Sequence, residues 1–184
     1  MARRSLTALA SLGFATGLAS AAPLEESAPA TAPALDELIR LHADANAALM
    51  RGDMKKYIEI LPVASDFTLM SPMGGEPGRA PYSPEQIEEI GRFFKNGTFQ
   101  QHVVQAYATR DMVVLATIER ANVGVGGLPS QEWLLRVTTV LRRAGSRWEL
   151  VHRHADPLVK AISLEKSAAL TLGSGTGTVA PGAR

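Results

Sequence analysis

The C-terminal half of the chain alternates between long strand-like segments and very short connections, and this pattern restricts the fold more than any other feature. Four segments follow one another from Thr98 to Asp156: TFQQHVVQAYA, MVVLATIERANV, QEWLLRVTTVLRR and WELVHRHAD. They are joined by TRD, GVGGLPS and AGSR, and connections of this length link neighbouring strands that run in opposite directions. The pattern therefore predicts an antiparallel sheet of at least four strands.

Three helical segments precede these strands. Apolar residues recur at helical spacing through ALDELIRLHADANAALM, which a glycine follows closely. A second helix, MKKYIEIL, has Asp53 as its cap, and a third, PEQIEEIGRFFKN, has Ser83 as its cap. Helices first and antiparallel strands afterwards predict an α+β fold, in which the helices pack against one face of a strongly curved sheet.

The two ends of the chain differ in composition from this body. Residues 1–21 have a basic start, an uncharged and mostly apolar run, and small residues at the end, as a cleaved export signal has. Residues 22–34 are rich in Ala and Pro and are predicted to form a disordered linker, and residues 165–184 a disordered tail. One domain is therefore predicted over residues 35–164, exported to the periplasm or the medium after cleavage near Ala21.

Charge and cysteine content narrow the range of functions. The chain carries 19 Lys and Arg against 18 Asp and Glu, so it lacks the basic excess of a nucleic-acid surface. It has no cysteine, which excludes disulfides and thiolate metal ligands. No Gly-rich phosphate loop or Rossmann pattern is present, so no organic cofactor is predicted. The apolar run of the signal is too short for a permanent span, so no membrane partner is predicted after cleavage.

The last strand carries two of the four histidines of the chain in the same phase. Side chains of a regular strand alternate between its two faces. The residues that share one face of WELVHRHADPLV are Trp148, Leu150, His152, His154 and Asp156. Because the apolar end of this set must be buried, both histidines are predicted to face the interior, as one wall of a conical pocket. Asp156 would orient an imidazole for acid/base catalysis.

Two other interpretations of the histidines stay open at this point. In the first, each ring is a satisfied core or rim residue that donates to a carbonyl and has no catalytic role. In the second, His152 and His154 bind a metal ion, with Asp156 or His102 as a third ligand. The protein would then be a metal-dependent hydrolase.

Two stretches resemble known proteins. DFTLMSPMGGEPGRA resembles the strand-and-loop segment of ketosteroid isomerase-like proteins, and WLLRVTTVLRRAGSRWELVHRHADPL resembles the closing hairpin of SnoaL-like proteins. Both groups belong to the nuclear-transport-factor-2-like superfamily. The resemblance implies a cone, in which a bent antiparallel sheet wraps around three helices and encloses a mostly apolar cavity. It also implies a homodimer formed through the sheet.

The same resemblance argues against steroid isomerisation. The isomerases have an aspartate as general base directly before a Pro-x-Gly motif, and Ser71 stands at that place. A serine hydroxyl is not a resting carboxylate base. Their second carboxyl group corresponds to Thr139, and their tyrosine on the first helix has no counterpart, since Tyr57 falls on the second helix.

The sequence thus predicts an exported protein that binds a small, mostly apolar molecule and leaves open whether it is an enzyme of the isomerase, dehydratase or hydrolase type. The alternative is a non-catalytic homodimeric assembly module that associates through the outer face of its sheet. The candidate catalytic residues are His152, His154 and Asp156. The candidate pocket residues are Tyr57, Ser71, Glu76, Tyr82, His102, Trp133 and Thr139.

Overall fold

The structure, a computed structural model, describes residues 32–171 of the chain. The helices are α1 (Ala32–Met50), α2 (Met54–Ile60), α3 (Pro84–Phe93) and α4 (Leu164–Thr171). The strands are β1 (Val63–Met70), β2 (Gly78–Arg79), β3 (Phe94–Ala108), β4 (Met112–Val125), β5 (Gln131–Ala144) and β6 (Arg147–Pro157). The predicted export signal and most of the predicted linker and tail lie outside the described residues.

The predicted α+β fold is confirmed. Helices α1 to α3 precede four long strands, and the six strands form one curved sheet that does not close on itself, in the order β2-β1-β6-β5-β4-β3. Strand β1 runs parallel to β6, and the other neighbouring pairs are antiparallel. None of the described helices has both the length and the apolar character needed to cross a bilayer.

Helical structure extends beyond both predicted boundaries of the domain. Helix α1 begins at Ala32, inside the predicted linker, and α4 begins at Leu164 and occupies the start of the predicted tail. A local cap explains α4, because the Ser163 hydroxyl accepts a hydrogen bond from the backbone N–H of Lys166.

Strand β6 changes phase at Val151. Leu150 lies opposite Leu141 of β5, and His152 lies opposite the preceding residue, Val140, so Val151 is an extra residue on β6. Such a β-bulge shifts every later side chain of the strand to the opposite face.

The bulge reverses the predicted orientation of the histidines. Leu150 and Ala155, which a regular strand would place on opposite faces, are both 1% exposed on the inner face. The His154 side chain is 44% exposed and that of Asp156 is 49% exposed. The prediction that His152, His154 and Asp156 face the interior is therefore wrong. Regular alternation of side chains between the two faces of β6 holds only as far as Val151.

A buried histidine on α1 connects the helix to the inner face of the sheet. His42 is 1% exposed, and its Nδ1 lies 2.8 Å from Oε1 of Gln101 on β3. The amide of Gln101 is oriented by its Nε2, which donates to the carbonyl of Ile39 at 2.9 Å. Since Oε1 only accepts, Nδ1 of His42 carries the proton and Nε2 is the acceptor.

The second ring nitrogen completes this polar layer. Nε2 of His42 accepts from the Thr139 hydroxyl at 3.2 Å and from Asn46 Nδ2 at 3.2 Å, and both neighbours are buried. A proton added at Nε2 would face the Asn46 amide donor and would require the Thr139 hydroxyl to reverse its direction. Burial lowers the pKa of His42 below its usual value, although the charge of Glu119 acts in the opposite direction. The imidazole is therefore held neutral.

This arrangement makes stability depend on pH. Because the pKa of His42 is lower in the folded state, its contribution is complete above the unfolded pKa of about 6.5 and is lost as the pH falls below it. Urea unfolding between about pH 7.5 and about pH 5.5 should show a falling free energy of unfolding, by at most about 1.4 kcal/mol per pH unit for this one proton. His42→Gln, which does not titrate, should flatten the slope.

His102→Gln is the matched control, because His102 is exposed on the outer face of β3. It should leave the slope between the two pH values unchanged. An equal slope in His42→Gln and in the wild type would contradict the assignment.

Candidate functional site

A cavity of about 310 Å³ lies between the helices and the inner face of the sheet. Most of its wall is apolar, with contributions from all three N-terminal helices and from five strands. Representative apolar lining residues are Leu49, Met54, Phe67, Ile90, Phe99, Ala121, Trp133, Leu135 and Ala155. Exposed lining residues such as Met73 and Glu89 mark the rim. The cavity thus has an apolar body that opens beside the loop after β1.

A buried ion pair forms part of the wall of this cavity. Nη1 of Arg153 donates to Oε1 of Glu119 at 2.9 Å, and Nη2 donates to Oε2 at 2.6 Å. The Arg153 side chain is 14% exposed and that of Glu119 is 4% exposed. The parallel, two-pronged geometry is the strong form of a charge-assisted hydrogen bond. Two full charges are thereby kept in the wall of a mostly apolar cavity.

Mutual attraction outweighs burial for both members of the pair. Burial alone would raise the pKa of Glu119, but the charge and hydrogen bonds of Arg153 bring it below its usual value. Burial alone would lower the pKa of Arg153, and Glu119 reverses that shift as well. Both residues are therefore ionised at neutral pH, and the pair as a whole carries no net charge.

Tyrosine hydroxyls add neutral polar groups to the cavity. Tyr57 of α2 is 5% exposed, and its burial raises its pKa to about 12. The charge of Arg153 acts on it in the opposite direction, which places the two groups within electrostatic reach. Tyr82 is half-buried, with its ring centroid 6.1 Å from that of Phe67.

The structure brings together some of the predicted pocket residues and separates others. Tyr57, Ser71, Tyr82 and Trp133 line the cavity. Thr139 is fully buried and bonded to His42 instead. Glu76 and His102 are exposed, Glu76 in the loop after β1 and His102 on the outer face, opposite Ile118 of β4.

The predicted catalytic histidines lie on the outer face. His152 pairs through Nδ1 with the Thr68 hydroxyl at 2.8 Å. His154 and Asp156 line a separate outer groove of about 420 Å³, where Nε2 of His154 is 3.6 Å from Oδ1 of Asp156. Nη2 of Arg136 is 3.7 Å from the other carboxylate oxygen. Acid/base catalysis by these residues stays a prediction, and it would take place in this groove.

The metal alternative needs at least three converging ligands. Among residues 32–171, no group of three or more His, Cys, Asp or Glu side chains is arranged to hold a metal ion. His152 and His154 have separate neighbours, Thr68 and Asp156. The part of the chain that the structure describes therefore offers no ligand set for a metal-dependent hydrolase.

Glu119 and Arg153 were not among the predicted site residues, for two different reasons. Glu119 shares one face of β4 with Leu115 and Thr117, because side chains at every second position lie on the same face. A carboxylate on this mostly buried face could have been recognised from the sequence. Arg153 gave no such signal, because regular alternation assigns it to the outer face and the bulge at Val151 moves it inward.

Comparisons with known proteins agree with this architecture. The family model for the SnoaL-like domain matches residues 40–159. A structure of a nuclear-transport-factor-2-like protein from Cytophaga hutchinsonii aligns with a TM-score of 0.55 at 13% identity, covering 67% of this chain and 98% of that one. A protein of that fold from Rhodospirillum rubrum, described as of unknown function in nutrient uptake, aligns with a TM-score of 0.51 at 22% identity, covering 66% and 98%.

A further structure comes from Xanthomonas campestris and is described as a candidate calcium/calmodulin-dependent protein kinase II association domain. It aligns with a TM-score of 0.50 at 20% identity, covering 75% of this chain and 99% of that one. At these identities the structures establish the fold only. No curated protein matches the chain. The match over residues 40–159, together with the cone built by the curved sheet and three helices, shows that the chain belongs to the SnoaL-like domain family.

Proposed function

We propose that this protein binds a small, mostly apolar molecule in the cavity inside its cone. The observation that carries the proposal is an apolar cavity of about 310 Å³ that has a buried ion pair, Glu119–Arg153, in its wall. Pockets for small ligands combine mostly apolar walls with a few placed polar groups, and their volumes begin at about 300 Å³. The ligand is therefore small.

The proposal is for binding and does not require turnover. Ser71 lines the cavity at the place where the resemblance to steroid isomerases implies an aspartate base. The ionised carboxylate inside the cone, Glu119, is engaged by Arg153 through both oxygens. A carboxylate stabilised in its charged form is a weak proton acceptor. Binding is thus the function that this interior supports best.

A second proposal concerns assembly. Apolar side chains are exposed on the outer face of the sheet, with Val104 at 59%, Tyr107 at 62% and Met112 at 44%. Leu134 and Val140 are half-buried on the same face. Exposed apolar clusters favour protein–protein contact, and the name of the Xanthomonas campestris relative describes an association domain. We propose that this face forms a homodimer and that the protein is exported after cleavage near Ala21.

Native mass spectrometry of the protein purified from its own periplasm or medium tests ligand binding. We expect the folded protein to carry the added mass of a retained organic molecule. Ala121→Leu should lower the occupied fraction, because Ala121 lines the cavity opposite Trp133 and a larger side chain reduces its volume. Loss of the added mass on desolvation under denaturing conditions would show that it is not covalent.

Two controls locate the molecule. Ala144→Leu adds the same volume at an exposed position at the end of β5, and His154→Gln alters the outer groove. Both should retain the molecule. A bare chain mass in the wild type, or a loss in His154→Gln with retention in Ala121→Leu, would contradict the proposal.

The same spectra test the homodimer and the export signal. The expected mass is that of two chains that each begin at Ala22. Tyr107→Glu should yield single chains, because a charge at an apolar interface loses its hydration. Leu128→Glu, at a position 58% exposed in the β4–β5 loop, should remain dimeric. A monomeric wild type, or a mass beginning at Met1, would contradict the corresponding proposal.

A further inference from the structure

We infer that the ligand is an uncharged molecule with a hydrogen-bond acceptor, such as the carbonyl oxygen of a ketone, ester or amide, which binds to the Tyr57 hydroxyl and to free N–H groups of Arg153. This inference rests on the proposed function, since it specifies the polar end of a molecule that the apolar cavity would bind. The polar groups of the cavity that lack a protein partner determine which ligand groups can bind there.

Tyr57 is a donor without an acceptor. The residue is 5% exposed and lines the cavity, and its hydroxyl makes no hydrogen bond with any residue in the range 32–171. The fully buried side-chain atoms without a partner in this range are Asn46 Oδ1 and Thr117 Oγ1, so the Tyr57 hydroxyl keeps access to the cavity space. With its pKa raised to about 12, the phenol keeps its proton at physiological pH and remains able to donate. A ligand oxygen would satisfy it.

Arg153 supplies further donors on the same wall. A guanidinium has five N–H bonds. Two N–H groups of Arg153 donate to Glu119, and its other N–H groups have no acceptor within the described part of the chain. Arg153 and Tyr57 both line the cavity, so their free donors face the same enclosed space. Each oxygen of Glu119 already accepts one hydrogen bond from Arg153, whereas the Tyr57 hydroxyl and the remaining Arg153 N–H groups have no acceptor among residues 32–171.

The charge balance selects a neutral ligand. Arg153 is matched by Glu119 at 2.6 Å, so the pair has no positive charge left for an anion. His42, a buried imidazole that interacts electrostatically with Glu119, is held neutral. A carboxylate entering the cavity would lose its hydration without gaining a counter-charge. A carbonyl oxygen accepts two hydrogen bonds without this cost.

Three probes of nearly the same shape distinguish binding of a carbonyl compound from binding of a hydrocarbon or of an anion. They are acetylnaphthalene, its isopropenylnaphthalene analogue in which the carbonyl oxygen becomes a methylene group, and the naphthoate anion. Equilibrium dialysis against the mature protein at neutral pH gives a Kd for each. The hydrocarbon reports apolar binding alone, so it tests the proposed function, and the ratio of ketone Kd to hydrocarbon Kd tests the carbonyl site.

Tyr57→Phe is the decisive variant, because it removes one donor and keeps the ring. We expect the ratio of ketone Kd to hydrocarbon Kd to rise about three- to tenfold, the usual net effect of one hydrogen bond. Tyr107→Phe, at an exposed position of the outer face, is the matched control and should leave the ratio unchanged. The naphthoate Kd should exceed the ketone Kd at least about tenfold.

A second variant tests the contribution of Arg153 without leaving a lone buried charge. Arg153→Met combined with Glu119→Gln removes both charges together, and its urea unfolding curve shows whether the fold persists. In a folded double variant the ketone-to-hydrocarbon ratio should also rise. Hydrocarbon binding with an unchanged ratio in Tyr57→Phe, or with naphthoate as the tightest probe, would overturn the inference and leave the proposed function standing. Failure of all three probes to bind would overturn both.

Discussion

The ion pair between Glu119 and Arg153 is the interaction on which the interior of this protein depends. The two side chains come from β4 and β6, which are separated in the sheet by β5, so the pair bridges the concave face. Removing one partner would leave a buried charge without compensation, at a cost of about 3–5 kcal/mol. Because the pair is buried, the side chains around it must leave both charges paired. The pair also supplies the charged groups of the cavity wall.

Around this pair the cone combines two kinds of interior. Toward α1 lies a polar layer in which His42, Gln101 and Thr139 satisfy one another and fix the neutral form of the imidazole. Toward the rim lies the apolar cavity, with Trp133 among its walls. The polar layer holds the helix on the sheet, whereas in the cavity the Tyr57 hydroxyl and part of the Arg153 guanidinium have no hydrogen-bond partner among the described residues. The first arrangement supports stability, and the second is suited to a ligand.

The sequence predicted the architecture well because periodic patterns determine it. Apolar residues at helical spacing on α1 and a mostly apolar inner phase along β5 follow from burying one face, and both are visible in the chain. The site was predicted less well because it depends on the bulge at Val151. The residue types at that position give no sequence signal for a bulge. Because of this one extra residue, the side chain of Arg153 lies on the inner face, whereas regular alternation would place that of His152 there. Tyr57, Ser71, Tyr82 and Trp133 precede or avoid that irregularity, and they line the cavity as predicted.

The most direct test of this account is the accessibility of neighbouring positions on β6. The chain contains no cysteine, so single cysteines at 154 and 155 can be labelled with a maleimide without background. We expect rapid labelling of His154→Cys in the folded protein made monomeric by Tyr107→Glu, and protection of Ala155→Cys until urea unfolds it, because the two side chains lie on the outer and inner faces. Protection of position 154 together with rapid labelling of position 155 would mean that β6 has no bulge, and it would remove Arg153 from the cavity.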